Sequence, residues 1–110
     1  MVTVVDKVWT KKAGQKIIGQ LDRHFKNNIV QVRYWIIVNY YAPKTGYTFF
    51  FNIRRPHHFT RSIPLGQVSD CSFDELIIIL NEIRTKYHFT FVYYHFSRKE
   101  QRRLSQEVNQ

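Results

Sequence analysis

Two apolar runs, residues 29–41 and 47–53, flank the turn-forming residues Ala42, Pro43, Lys44, Thr45 and Gly46. Their β-branched and aromatic content predicts a β-hairpin. Setting Tyr40 opposite Tyr47 pairs Val38 with Phe49, Ile36 with Phe51 and Tyr34 with Ile53, which makes one face wholly apolar or aromatic. Side chains alternate along a strand, and a one-residue slip would exchange the faces. That apolar face is therefore the predicted core face. The opposite face carries Gln31, Arg33, Trp35, Ile37 and Asn39 against Arg54, Asn52, Phe50 and Thr48. Two arginines beside two aromatics mark it as a candidate binding face.

The valine-rich residues 3–9 predict a short N-terminal strand. From Lys11 to Lys26 the apolar positions Ile17, Ile18, Leu21 and Phe25 recur at three- and four-residue spacing, which predicts a helix with one buried stripe. Lys11, Lys12 and Lys16 fall off that stripe. Gly14 and Gly19 each weaken the helix by up to about 1 kcal/mol relative to alanine, and Gly19 reads as a point of close approach to the sheet. Residues 55–71 contain Pro56, Pro64 and Gly66 and follow neither periodicity, so they predict a long connecting loop. Ser72 and Glu75 then form a capping box that starts a second helix with the stripe Leu76, Ile79, Leu80, Ile83 and Tyr87. Residues 87–96 read as a strand with apolar side chains on both sides, the pattern of a central strand or of one paired with another chain. A second capping box, Ser97 with Glu100, starts a C-terminal helix that carries Arg98, Lys99, Arg102 and Arg103 but only Leu104 and Val108 as apolar anchors.

The order strand, helix, strand, strand, helix, strand is the ferredoxin-like split β-α-β pattern (β-α-β-β-α-β). Without the N-terminal strand it becomes an α-β-β-α-β sandwich with an extra basic C-terminal helix. Both are α+β. The expected organisation is a small single α+β domain over residues 1–96 and a basic helical extension over residues 97–110.

Length and composition fit that reading: 110 residues, 44% of them hydrophobic and 16% aromatic, suffice for a single core. The formal charge of +9 favours an anionic partner. It is concentrated in residues 1–60, which hold ten basic and two acidic side chains against seven and six in residues 61–110. A single cysteine, Cys71, excludes an internal disulfide framework and favours an intracellular, cytoplasmic setting. The N-terminal apolar run is interrupted by Asp6 and Lys7 and is too short for a signal peptide, and no run approaches the roughly 18 residues of a membrane span. A soluble protein with no membrane partner is expected.

Chemistry is sparse. His24, His57, His58, His88 and His95 lack the spacings that bring two ligands to one helix or strand face, and Cys-x-x-Cys is absent, so no metal is expected. Cys71 precedes a helix N-terminus, where a thiol pKa can be lowered, but no base accompanies it, and neither a Gly-rich phosphate loop nor a Gly-x-Ser-x-Gly elbow occurs. No catalytic residue and no cofactor are assigned.

Nucleic-acid binding, to DNA or RNA, is the leading functional expectation. Arg33, Trp35, Phe50 and Arg54 on the hairpin, Arg55, His57, His58 and Arg61 in the following segment, and Lys11, Lys12 and Lys16 on the first helix are the candidate contacts. Gly46-Tyr47-Thr48-Phe49 resembles the aromatic strand of RNA-recognition motifs, but the hairpin register turns Tyr47 and Phe49 inward, and no family is assigned. The alternative is a protein-binding inhibitor or adaptor, of the kind phages and plasmids use against nucleic-acid enzymes, acting through the same face; Trp, Tyr and Arg also dominate protein interfaces. The two-sided apolar strand adds a homodimer as a further expectation.

Overall fold

The computed structural model describes residues 7–25, 31–41 and 45–108. Within them the chain runs α1 (Lys7–His24), β1 (Arg33–Tyr41), β2 (Gly46–Arg54), β3 (Arg61–Val68), α2 (Phe73–Arg84), β4 (Thr90–Tyr94) and α3 (Arg98–Glu107). The strands form one mixed sheet in the order β3-β2-β1-β4. β1, β2 and β3 are an antiparallel meander, and β4 returns parallel to β1 after α2. The fold is a small α+β domain.

β1 and β2 pair in the predicted register, with Tyr40 opposite Tyr47, Val38 opposite Phe49, Ile36 opposite Phe51 and Tyr34 opposite Ile53. Ile36, Val38, Phe49 and Phe51 are fully buried. Any one-residue slip would send them to the other face, so burial itself fixes the pairing. α1 contributes Ile17, Ile18 and Leu21 to the same core, and α2 contributes Leu76, Ile77, Ile79, Leu80 and Ile83. Phe25, just past α1, meets Tyr34 and Phe89 edge to face, each at a centroid distance of 5.0 Å. Both capping boxes form: Ser72 Oγ accepts from the Glu75 amide at 3.1 Å while Glu75 Oε1 accepts from the Ser72 amide at 3.0 Å, and Ser97 and Glu100 repeat the arrangement. α3 is tied by more than Leu104 and Val108, since Arg103 pairs with Asp74 of α2 at 2.9 Å and Asn81 donates to the Glu107 carbonyl at 3.0 Å.

Several sequence expectations change. The predicted N-terminal strand covers residues 3–9, of which 3–6 lie outside the described residues, while Lys7, Val8 and Trp9 form the first turn of α1. Thr10, Gly14, Ile17, Ile18 and Leu21 are all buried, so the 3.6-residue period runs further back than the apolar pattern reveals. Helical packing outweighs the β-propensity of valine there. The predicted loop over residues 55–71 contains β3, with Ile63 and Leu65 pointing into the core. Pro64 is compatible with a strand because β3 is a sheet edge, and Gly66, at φ +149°, sits where an irregularity in the β2–β3 register leaves Leu65 as an extra residue. β4 is also an edge among the described strands rather than central, because α2 carries it back beside β1. In place of the β-α-β-β-α-β sequence, the described residues run helix, three strands, helix, strand, helix.

Candidate functional site

Strand alternation gives the sheet a second face. The helices bury their apolar residues against Ile36, Val38, Phe49 and Phe51, so the side chains that alternate with these point away from all three described helices. Trp35, Ile37, Phe50 and Val92 are half-buried at the centre of that open face, with Pro64 and Tyr94 exposed on its flanking strands. Asn52 lies between Trp35 on β1 and Ser62 on β3 and is buried, its Oδ1 accepting from Ser62 Oγ at 2.7 Å. This bond satisfies a polar group that the face would otherwise leave costly.

Acidic charge is confined to one of the two layers. None of the four strands contains Asp or Glu, and no acidic residue occurs between Asp22 and Asp70. Among the described residues, the carboxylates stand on the helices or, for Asp70, in the turn before α2. Most have work there. Asp22 pairs with Lys86 at 2.9 Å and accepts from the Tyr87 hydroxyl, contacts that hold its carboxyl below the usual range, the tyrosine hydrogen bond being the larger cause. Asp74 and Glu107 share Arg103, Glu75 and Glu100 cap helices, and Glu82 accepts from Gln15 at 2.5 Å.

Cations gather at one end of the sheet. Arg33 opens β1 and Arg54 closes β2, and the two are direct cross-strand partners. Like charges opposite one another destabilise a sheet, so folding alone gives no reason for the pair. Arg55 follows, and the His58 amide donates to the Arg55 carbonyl at 3.2 Å, closing a turn with Pro56 second and His57 third. His57 has φ +63°, the left-handed conformation that a type II turn needs at that position. Phe59 comes next and is 99% exposed. Arg61 begins β3. Among the described residues Arg33, Arg54, Arg55 and Arg61 make no ion pair. Gln31, at φ +73°, joins Arg33, Arg54, Arg55, Pro56 and His57 around an open cleft of about 330 Å³.

Seven of the candidate contacts thus lie on the open face or at its cationic end: Arg33, Trp35, Phe50 and Arg54 on the face, and Arg55, His57 and His58 in the turn beyond it, while Arg61, opposite Ile53 at the start of β3, alternates to the helix side of the same sheet end. Lys11, Lys12 and Lys16 are elsewhere. They stand on α1, in the other layer, where Lys12 and Lys16 border a groove shared with Trp9, Ile17 and Leu65. Sequence reading missed Phe59. Its one signal is an aromatic residue placed directly after two histidines in a basic segment, and nothing local states that the segment is a hairpin tip. Tyr47 and Phe49 are buried, so neither ring is available to a base as the corresponding aromatics of RNA-recognition motifs would be. Burial also pushes the Cys71 thiol up to about 12, with Glu75 adding to the shift, opposite in direction to the effect of a helix N-terminus. Among the described residues no three of His, Cys, Asp and Glu are grouped so as to hold a metal ion, and no helix is long and apolar enough to cross a membrane.

Compared with known protein families, curated proteins and solved structures, the chain matches none.

Proposed function

We propose that this protein binds nucleic acid through the open sheet face and the hairpin tip between β2 and β3. Arg33, Arg54, Arg55 and Arg61 engage phosphates, His57 and His58 add hydrogen-bond donors, and Trp35 and Phe50 offer ring faces to bases. The observation that carries this reading is the confinement of acidic charge to the other layer: four strands without a carboxylate, three of them bounded at one end of the sheet by Arg33, Arg54 and Arg61, which make no ion pair among the described residues. A guanidinium is a planar fork of donors suited to phosphate oxygens, and aromatics interleaved with cations are the common equipment of proteins that hold nucleic acid without base-specific contacts. Lys11, Lys12 and Lys16, in the other layer, contribute long-range attraction rather than contact.

The test is a titration of fluorescent single- and double-stranded DNA and RNA at two salt concentrations. Binding at micromolar or tighter affinity that weakens steeply with salt supports the proposal, because each phosphate neutralised releases counterions. If no oligonucleotide binds even at low salt while a stoichiometric protein partner survives nuclease treatment of an extract, the inhibitor or adaptor reading replaces it.

A further inference from the structure

Phe59 is the most exposed large apolar side chain described, and it stands at the tip of a hairpin whose neighbouring charges are all positive. An isolated exposed aromatic needs no explanation. This one is different in its setting. The turn that precedes it is closed by the bond from His58 to Arg55 and set by Pro56 and the left-handed His57. The same turn lines the cleft with Arg33, Arg54 and Arg55. A cluster of guanidinium donors and an exposed ring therefore stand at the same end of the sheet, with Arg55 and Phe59 on one short connection.

We infer that this element is a nucleotide-binding unit for unpaired strands: the cleft between Arg33, Arg54 and Arg55 takes a backbone phosphate, and Phe59 stacks on the base beside it. The inference rests on the nucleic-acid reading above and adds the substrate class and the residue that selects it. Inside a duplex both faces of a base are covered by its neighbours. A protruding ring finds a free base face only in a single strand, a gap or an end. Wedging into a duplex would cost a few kcal/mol of unstacking, which architectural proteins offset by bending DNA around a large surface. Aromatic stacking on unpaired bases has no such cost and tolerates any base. Trp35 and Phe50 lie further along the same face, so a strand leaving the cleft meets more rings.

The probe is fluorescein-labelled oligothymidylate, compared with a labelled duplex of the same length, at about 50 and 200 mM salt. Phe59→Ala removes an exposed side chain and leaves the fold intact. Single-strand affinity is expected to fall by about tenfold or more with the salt slope unchanged, duplex affinity to stay the same, and Phe59→Trp to restore single-strand binding. Arg54→Gln is expected to weaken both ligands and to lower the salt slope by about one. The inference is overturned, with the nucleic-acid reading intact, if Phe59→Ala leaves single-strand affinity unchanged or lowers both ligands equally. Failure of wild-type protein to bind any oligonucleotide overturns both readings. So does Phe59-dependent binding to vesicles of phosphatidylserine and phosphatidylcholine in the absence of oligonucleotide binding, which would make the tip a membrane anchor.

Discussion

Gly14 of α1 lies against Glu82 of α2 so closely that a Cβ at position 14 would stand 2.7 Å from both Glu82 Cβ and Cγ. The contact falls where the two helices cover the sheet side by side. Gly19, five residues on, is exposed and would meet nothing within 4 Å. Close approach belongs to Gly14, and it is an approach between helices rather than of helix to sheet. Gly14→Ala is expected to destabilise the domain by about 1–3 kcal/mol through overpacking, and Gly19→Ala to stabilise it by up to about 1 kcal/mol through helix propensity. Urea denaturation of the two variants checks this. Equal effects of the same sign would mean that the helices do not meet at Gly14.

Arg33 and Arg54 set stability against binding. Replacing Arg33 by threonine removes a like-charge cross-strand pair and supplies a good strand residue, for an expected gain of about 0.2–1 kcal/mol, largest at low salt. The same change is expected to weaken oligonucleotide binding. Denaturation midpoints and binding curves measured on one preparation should therefore move in opposite directions. Parallel losses would show that Arg33 is a structural residue.

Phe51 and Phe59 share a side chain and differ in place. Phe51 is fully buried, with Tyr34 stacked on it at a centroid distance of 5.8 Å and Phe89 at 5.2 Å. Phe51→Ala is expected to cost about 3–5 kcal/mol. Phe59→Ala is expected to leave the denaturation midpoint unchanged within error. An unchanged midpoint for Phe51→Ala would place it, and with it the core face of the hairpin, on the wrong side.

Cys71 supplies a test at alkaline pH. Burial raises its thiol from an ordinary value of 9.0 to about 12, so the folded state holds the proton more tightly than the unfolded chain. The corresponding stability is fully present below about pH 9 and is lost as pH rises toward 12. Burial raises Tyr93 in the same direction, to about 12. Alkaline denaturation followed by circular dichroism should show the decline in that window. At pH 8 a thiol reagent should modify Cys71 only after denaturant is added; rapid labelling of the folded protein would contradict its burial.

Much of this architecture is local. The hairpin register was legible because Tyr34, Ile36, Val38 and Tyr40 alternate against Tyr47, Phe49, Phe51 and Ile53, and only one pairing buries them together. The starts of α2 and α3 were legible because a serine and a glutamate three residues apart satisfy each other's backbone amides without help from the rest of the chain. The placement of Arg33, Trp35, Phe50 and Arg54 on one face was legible for the same reason, since alternation alone puts them there, whereas Arg55, His57, His58 and Arg61 fell in a segment whose sequence reads as a loop.

Tertiary structure decided what depends on a neighbour. Pro64 and Gly66 read as breakers, and only the edge position of β3 and the irregular β2–β3 register make them strand residues. Val8 and Trp9 look β-prone, yet Thr10 and Gly14 continue a helical stripe that is recognisable only once α2 lies against it. Phe59 looks like any loop aromatic until β3 turns the segment into a hairpin tip and leaves its ring in solvent. Sequence specified alternation, caps and charge; it did not specify which strands end as edges, because edge and centre differ by pairings that lie far apart along the chain.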